Sequence, residues 1–196
     1  MKLGNLVLTS LDPGVIIAIV VVVLVIAVVG WWISTANKLK VMNVKIDEAL
    51  SGIDVALTKR YDLLTKLVAT VKGYAKHEEE TLTKIIAMRN PGSAATLTEK
   101  QQFASETAQA LKNFNVVVEQ YPNLKADSQF LALQGSIRDV EEQLQAARRL
   151  YNSNVSAFNQ AIIVFPASIV ANSAHLTRRE FFEVEEVKRQ DVKIEF

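Results

Sequence analysis

Apolar side chains follow two patterns along this chain, one unbroken and one with a helical beat. Across residues 15–33 every position is apolar except Gly30, and 14 of them are Val, Ile or Leu. A helix of that length spans about 29 Å, the hydrocarbon thickness of a bilayer. Its many β-branched residues are no obstacle there, because lipid offers the backbone no other hydrogen-bond partner. A core helix that is apolar all round would need neighbours to cover it, and nothing else in the chain is hydrophobic enough. A cleaved export signal would show a basic start, a shorter apolar centre and a small-x-small site, where this chain has Trp31 and Trp32. The run therefore predicts a transmembrane helix over 15–35.

Beyond it the apolar positions recur every three or four residues: Leu39, Met42, Ile46, Ala49, Ile53, Leu57, Leu64, Leu67, Val71, Ala75, Leu82 and Ile85. That predicts one long helix with a coiled-coil-like seam, weakened but not stopped at Gly52 and Gly73, and with no breaker separating it from the span. Asn90-Pro91-Gly92-Ser93 is a turn, with glycine free to take positive φ. Thr98 with Gln101 resembles a capping box opening a second helix on Phe103, Thr107, Leu111, Phe114 and Val118, which Tyr121-Pro122-Asn123 closes. A third helix on Phe130, Leu133, Ile137, Val140, Leu144, Ala147, Tyr151, Val155, Phe158, Ile162 and Phe165 is predicted to stop at Pro166. The expected fold is all-α: a transmembrane helix leading into an elongated antiparallel bundle of two long helices and one or two shorter ones. The domain reading is a short extracytoplasmic N-terminus over 1–14, the span over 15–35, the bundle over 36–172, and a tail over 173–196 docked on the bundle or a neighbour. The pattern of the tail fits a helix or a strand.

Charge sets the expected topology. Lys38, Lys40 and Lys45 follow the apolar run and only Lys2 precedes it, so the positive-inside bias places the bundle in the cytoplasm and the N-terminus outside the inner membrane. Trp31 and Trp32, with Lys38 and Lys40, mark the membrane interface. From Lys38 onward the chain holds 21 of its 22 Lys+Arg and 20 of its 21 Asp+Glu, a balance that argues against nucleic acid as a partner. No cysteine is present, which removes disulfides, thiolate metal sites and lipidated cysteines.

Candidate chemistry is sparse. His77 and Glu80 share a helix face, but a bundle di-metal site needs Glu-x-x-His from two helices, and His175 is the only other histidine. The glycines are scattered, with no phosphate loop, and no serine sits in a nucleophile elbow. No catalytic, metal or cofactor residues are expected. Arg60-Tyr61-Asp62 and Arg148-Arg149-Leu150-Tyr151-Asn152 set charged groups beside the seams of the two long helices. Two readings stand: interhelical pairing of arginine with Asp62, Glu141 or Glu142, and anchors of a subunit interface.

At these residues the sequence resembles the LemA family of bacterial membrane proteins. The matching stretches are RYDLLTKLVATVKGYAKHEEETL (60–82), YPNLKADSQFLALQ (121–134), RRLYNSNVSAFN (148–159) and VFPASIVA (164–171). Arg60, Tyr61, Asp62, Tyr74, His77, Tyr121, Pro122, Leu124, Lys125, Arg148, Arg149, Tyr151, Asn152, Phe165 and Pro166 are thus candidates for structural or subunit-interface roles. Thr65-Lys66 stands where the family usually has Pro-Asn, and residues 172–176 where it tends to carry a Phe-Gly-Phe turn. The resemblance implies one span with the N-terminus outside, an all-α cytoplasmic bundle, and no established activity, cofactor or substrate. One branch of the family is associated with magnetosome membranes, which suggests organising or shaping a membrane. The leading expectation is a non-enzymatic scaffold that homo-oligomerises on the lipid bilayer, and the alternative a signalling or stress adaptor with a cytoplasmic protein partner.

Overall fold

The computed structural model describes residues 12–72 and 79–183, the side chains of 79–81 excepted. Among these residues it has six helices and no strand: α1 (Pro13–Val71), α2 (Glu79–Ala87), α3 (Leu97–Glu119), α4 (Pro122–Lys125), α5 (Ser128–Ala161) and α6 (Ala167–Ser173). The chain is all-α, and α1, with 59 residues, and α5, with 34, are its long helices. No break separates the apolar run from the amphipathic beat, because neither proline nor a competing cap falls between Trp32 and Val71. Thr65, at the site of the missing proline, donates its hydroxyl to the Tyr61 carbonyl within the uninterrupted helix.

Three boundaries differ from expectation. The first long helix was expected to reach residue 85 but closes at Val71, with Lys72 donating its N–H to the Val68 carbonyl. Residues 73–78, Gly73 and Ala75 among them, lie outside the described residues, and helix is described again from Glu79 as α2. The capping box of α3 is Thr96 with Glu99, not Thr98 with Gln101: Glu99 N–H donates to the Thr96 hydroxyl and Thr96 N–H donates to the Glu99 carboxylate. A carboxylate beside the positive helix end is a better partner than the amide of Gln101, which decides between the two overlapping patterns. Finally, α5 ends at Ala161 rather than at Pro166, and Ile163 and Val164 both turn back to the Gln160 carbonyl. Phe165, expected in the seam, is 76% exposed.

The helices divide into two compact units, residues 12–44 with 157–178, and 45–156 with 179–183. In the larger unit α1 and α5 run antiparallel, as paired positions show. Asn154 donates to the Lys45 carbonyl, Gly52 faces Ala147, and Arg60 meets Glu141. Ile46, Ile53, Leu57, Leu64 and Leu67 on α1, with Val140, Leu144, Tyr151 and Val155 on α5, are buried along this seam. Its far end is a cluster of Leu64, Val68 and Val71 with Leu82 and Ile85 of α2, Phe114 and Val118 of α3, Leu124 of α4 and Phe130 of α5. The turn before α3 forms as expected: Gly92 has φ +80° and donates its N–H to the Asn90 side chain. Asp127 caps α5 by accepting from the N–H groups of Gln129 and Phe130.

The smaller unit holds the first half of α1, exposed through Ser34, then half-buried at Thr35 and Ala36 and buried at Leu39. Phe158, Ile162, Val170 and Ala171 are its other buried apolar residues. α6 ends on a reversal in which Leu176 N–H reaches the Ala171 carbonyl and His175 N–H the Asn172 carbonyl. His175 takes φ +51° to make it, in the stretch where the family's turn carries glycine.

Because a side chain at positive φ is strained, His175→Gly should raise stability by roughly 0.5–1 kcal/mol after its extra unfolded-state entropy, read as a higher Tm in detergent. The Glu99 carboxyl is held below its ordinary range, chiefly by the Thr96 N–H and then by the Thr96 hydroxyl. A carboxyl with a depressed folded value stabilises above its unfolded pKa and loses that contribution as pH falls through the folded one. The Tm difference between the native chain and Glu99→Gln is expected to be greatest at neutral pH and to shrink in acid; a pH-independent difference would show that the charge is not used.

Candidate functional site

The charged and polar residues that interrupt the seam collect where α1, α3 and α5 face one another. The helical beat of α1 skips from Leu57 to Leu64, and the seam position between them is filled by Arg60, only 5% exposed. Its guanidinium pairs with Glu141 on α5 and donates from Nη1 to the Ala104 carbonyl of α3, 3.2 Å away. Glu141 is thus the carboxylate Arg60 reaches, whereas Asp62 and Glu142 are exposed. Burial lowers the Arg60 pKa, Glu141 raises it, and nearby Arg148 lowers it further. So a second cation stands in the same field, one that an isolated pair would not need.

Arg148 lies over the ring of Phe182, its Cζ 5.7 Å from the ring centroid. Phe182 is buried, and its backbone is held at both groups by one side chain: its N–H donates to Asn152 Oδ1 at 2.8 Å and its carbonyl accepts from Asn152 Nδ2 at 3.1 Å. Asn152 therefore gives a single extended residue the pairing a neighbouring strand would give. Tyr151 donates its hydroxyl to the Glu180 carbonyl at 3.0 Å, packs edge-on against Phe182, and has its phenol pushed above the ordinary value by burial. Gln101 of α3 donates to the Phe181 carbonyl, and Arg179 pairs with Asp47 of α1. Residues 179–183 are thus an extended segment gripped from three helices. The tail, open in the sequence between helix and strand, is neither over these residues, and 184–196 lie outside the described ones.

A second buried cation, Lys100, 1% exposed, pairs with Asp54 and donates to the Ser93 carbonyl, tying α1, α3 and the Asn90-Pro91-Gly92 turn together. Tyr61 reaches the same turn from below, donating to the Met88 carbonyl at 2.7 Å, with its ring 5.8 Å from Phe103. The remaining motif positions are elsewhere. Tyr121 and Leu124 pack in the far cluster, Pro122 opens α4, and Lys125 pairs with Glu119. Arg149, Phe165 and Pro166 are exposed, as are Trp31, Trp32, Lys38 and Lys40. Tyr74 and His77 lie outside the described residues, among which no three metal-ligating side chains converge. Sequence reasoning missed Lys100 and Asn154, named Gln101 only for a cap, and named Phe182 only among the apolar positions of a tail that could dock. Only Phe182 left a signal, as an aromatic in an otherwise charged stretch, because the partners of the others depend on which helices meet.

Asn152→Ala leaves both backbone groups of Phe182 without their partner, a loss of about 1–3 kcal/mol that falls on the segment and not on the bundle. Limited trypsin digestion at Arg178 and Arg179 should then be faster by roughly tenfold or more at unchanged Tm; equal rates would mean the amide does not hold the segment.

A model of the LemA family matches residues 49–196, from within α1 onward and downstream of the apolar run. Protein LemA of Metamycoplasma hominis is 30% identical over 163 residues, which cover 82% of this chain and 74% of that protein. The seam from Ile53 onward, the Arg60 and Arg148 cluster and residues 179–183 fall inside the matched region, and the chain belongs to the LemA family.

Proposed function

We propose that this chain is a single-span protein of the cytoplasmic membrane, its helical bundle inside the cell, and that it acts as a non-enzymatic scaffold. It self-associates on the bilayer and organises or shapes it. The observation behind this reading is that one helix is exposed and free of charge over residues 13–34 and then, without a break, becomes a wall of a packed bundle. Its window of mean hydropathy 3.2 is long and apolar enough to cross a membrane. Trp31 and Trp32 sit where the apolar run ends, and Lys38 and Lys40 follow on the side that the positive-inside bias keeps in the cytoplasm. Chains tethered in one plane face each other at high effective concentration, so weak lateral contacts suffice for assembly. The polar cluster supports a structural role, since each buried cation already has a carboxylate or carbonyl of its own chain.

Each part has a measurement. Carbonate washing should leave the protein in the membrane pellet, and Val22→Arg with Val25→Arg, each costing about 3 kcal/mol at the bilayer centre, should release it. Because the chain has no cysteine, a single Lys59→Cys substitution can report sidedness: the variant should react with impermeant maleimide only in broken cells. Cross-linking of purified protein should give species beyond the monomer. A detergent-solubilised protein that stays monomeric at every concentration rules out the scaffold, and labelling of the Lys59→Cys variant in intact cells rules out the topology.

A further inference from the structure

The smaller unit carries a second apolar feature besides the span. Where α5 ends, Ile163, Val164 and Phe165 are 54%, 58% and 76% exposed, and Ile169 in α6 is 50% exposed. Four large apolar side chains are thus exposed within seven residues of sequence. No Asp, Glu, Lys or Arg occurs from Leu150 to Thr177, in a chain that is 22% charged. Exposed apolar clusters of this kind mark contact with another phase or another molecule.

The position of the cluster selects the phase. In the antiparallel pairing of α1 and α5, Lys45 answers Asn154 and Gly52 answers Ala147, one residue back for each residue forward. In the smaller unit the covered residues of these same two stretches are Leu39 on α1 and Phe158 and Ile162 just before the cluster. Burial on α1 agrees, since exposure stops at Ser34 and cover begins at Thr35 and Ala36. The cluster therefore adjoins the covered end of the smaller unit, as does the part of α1 that follows Trp31 and Trp32. The backbone is suited to such a place. Ile162 donates its N–H to Phe158, Ile163 and Val164 donate theirs to Gln160, and Pro166 has none to satisfy.

We propose that the turn formed by Ile163, Val164, Phe165 and Pro166, with Ile169, is a wedge seated in the interfacial layer of the leaflet from which α1 emerges, its occupant being the lipid of that bilayer. This rests on the membrane anchorage proposed above. The chain is then held in that leaflet at two points, and the wedge adds volume at headgroup depth, which favours curvature.

Single cysteines at Val25, Phe165 and Val116, all exposed positions in a cysteine-free chain, carry an environment-sensitive dye in the full-length protein. The protein is reconstituted in phosphatidylethanolamine and phosphatidylglycerol vesicles containing lipids with nitroxides at shallow or deep positions. The expected result is deep quenching at Val25→Cys, shallow quenching with a blue shift at Phe165→Cys, and neither at Val116→Cys. Val164→Cys should repeat the shallow pattern and guards against a defect of one variant. Deep quenching at Val25→Cys with Phe165→Cys open to aqueous iodide overturns the wedge and leaves the anchor standing. Loss of quenching at Val25→Cys overturns the anchor and the wedge with it. A blue shift at Phe165→Cys that lipid nitroxides do not quench, and that grows with the ratio of protein to lipid, assigns the cluster to a second copy and overturns the proposal. Equal quenching at Val116→Cys also overturns it.

Discussion

The apolar seam between α1 and α5 is the constraint on which the larger unit depends. Two helices that bury a stripe apiece can do so only in a fixed register, and here Ile46, Ile53, Leu57 and Leu64 meet Tyr151, Leu144 and Val140 from the opposite direction. Each fully covered Leu or Ile contributes about 1.5–3 kcal/mol, so the stripe outweighs any one polar contact around it. Everything else is placed relative to that register: α3 lies over the seam where Arg60 touches the Ala104 carbonyl, and the short α2 and α4 close the end lined by Phe114 and Phe130.

Polar residues in the seam then gain a meaning that their types alone do not give. A buried ion pair is a weak source of net stability, because desolvation offsets most of the attraction, but it penalises wrong arrangements that leave a charge alone. Arg60 is compensated only when α1, α3 and α5 are all in place, since its partners are Glu141 and the Ala104 carbonyl. Lys100 does the same for α1, α3 and the Gly92 turn. A bundle whose apolar residues would tolerate a slip of one turn is thereby held to one alignment. The same logic extends to the tail: Asn152 and Tyr151 read backbone groups of residues 180 and 182, so they specify where the segment lies and not what its side chains are.

Local periodicity carried most of the fold into the sequence. The beat of α1 named Leu39, Ile46, Ile53, Leu57, Leu64 and Leu67, all buried, and the beat of α5 named Phe130 through Ile162. It failed where two readings of the same residues compete. Thr96-Glu99 and Thr98-Gln101 both fit a capping box, and the choice rests on charge at the helix end. Phe165 continues the three-and-four spacing of α5, yet the helix unwinds before it because the chain turns back at Gln160. Of the site, the arginine motifs were legible because charge inside an apolar beat stands out. Lys100 was not, since on the sequence it is one more lysine in a polar first turn.

The failure at Phe165 comes from an ambiguity in what an apolar residue reports. A seam position is expected to be apolar because it is buried, and a membrane position because it is wet by lipid, so the two demands write the same letters. On α1 an apolar surface on every side narrows to a buried stripe at Leu39. After α5 ends at Ala161, Ile162 is still buried, whereas Ile163, Val164 and Phe165 keep the composition of a seam without its cover. Charge is missing from α1 between Pro13 and Asn37 and again from Leu150 to Thr177, a run that starts in the last seam turns of α5 and continues through the smaller unit. A stripe that needs only a dry interior can keep charges on its outer face, and lysine or arginine at the edge of a bilayer can still reach the headgroups, so cover and not composition tells the two demands apart.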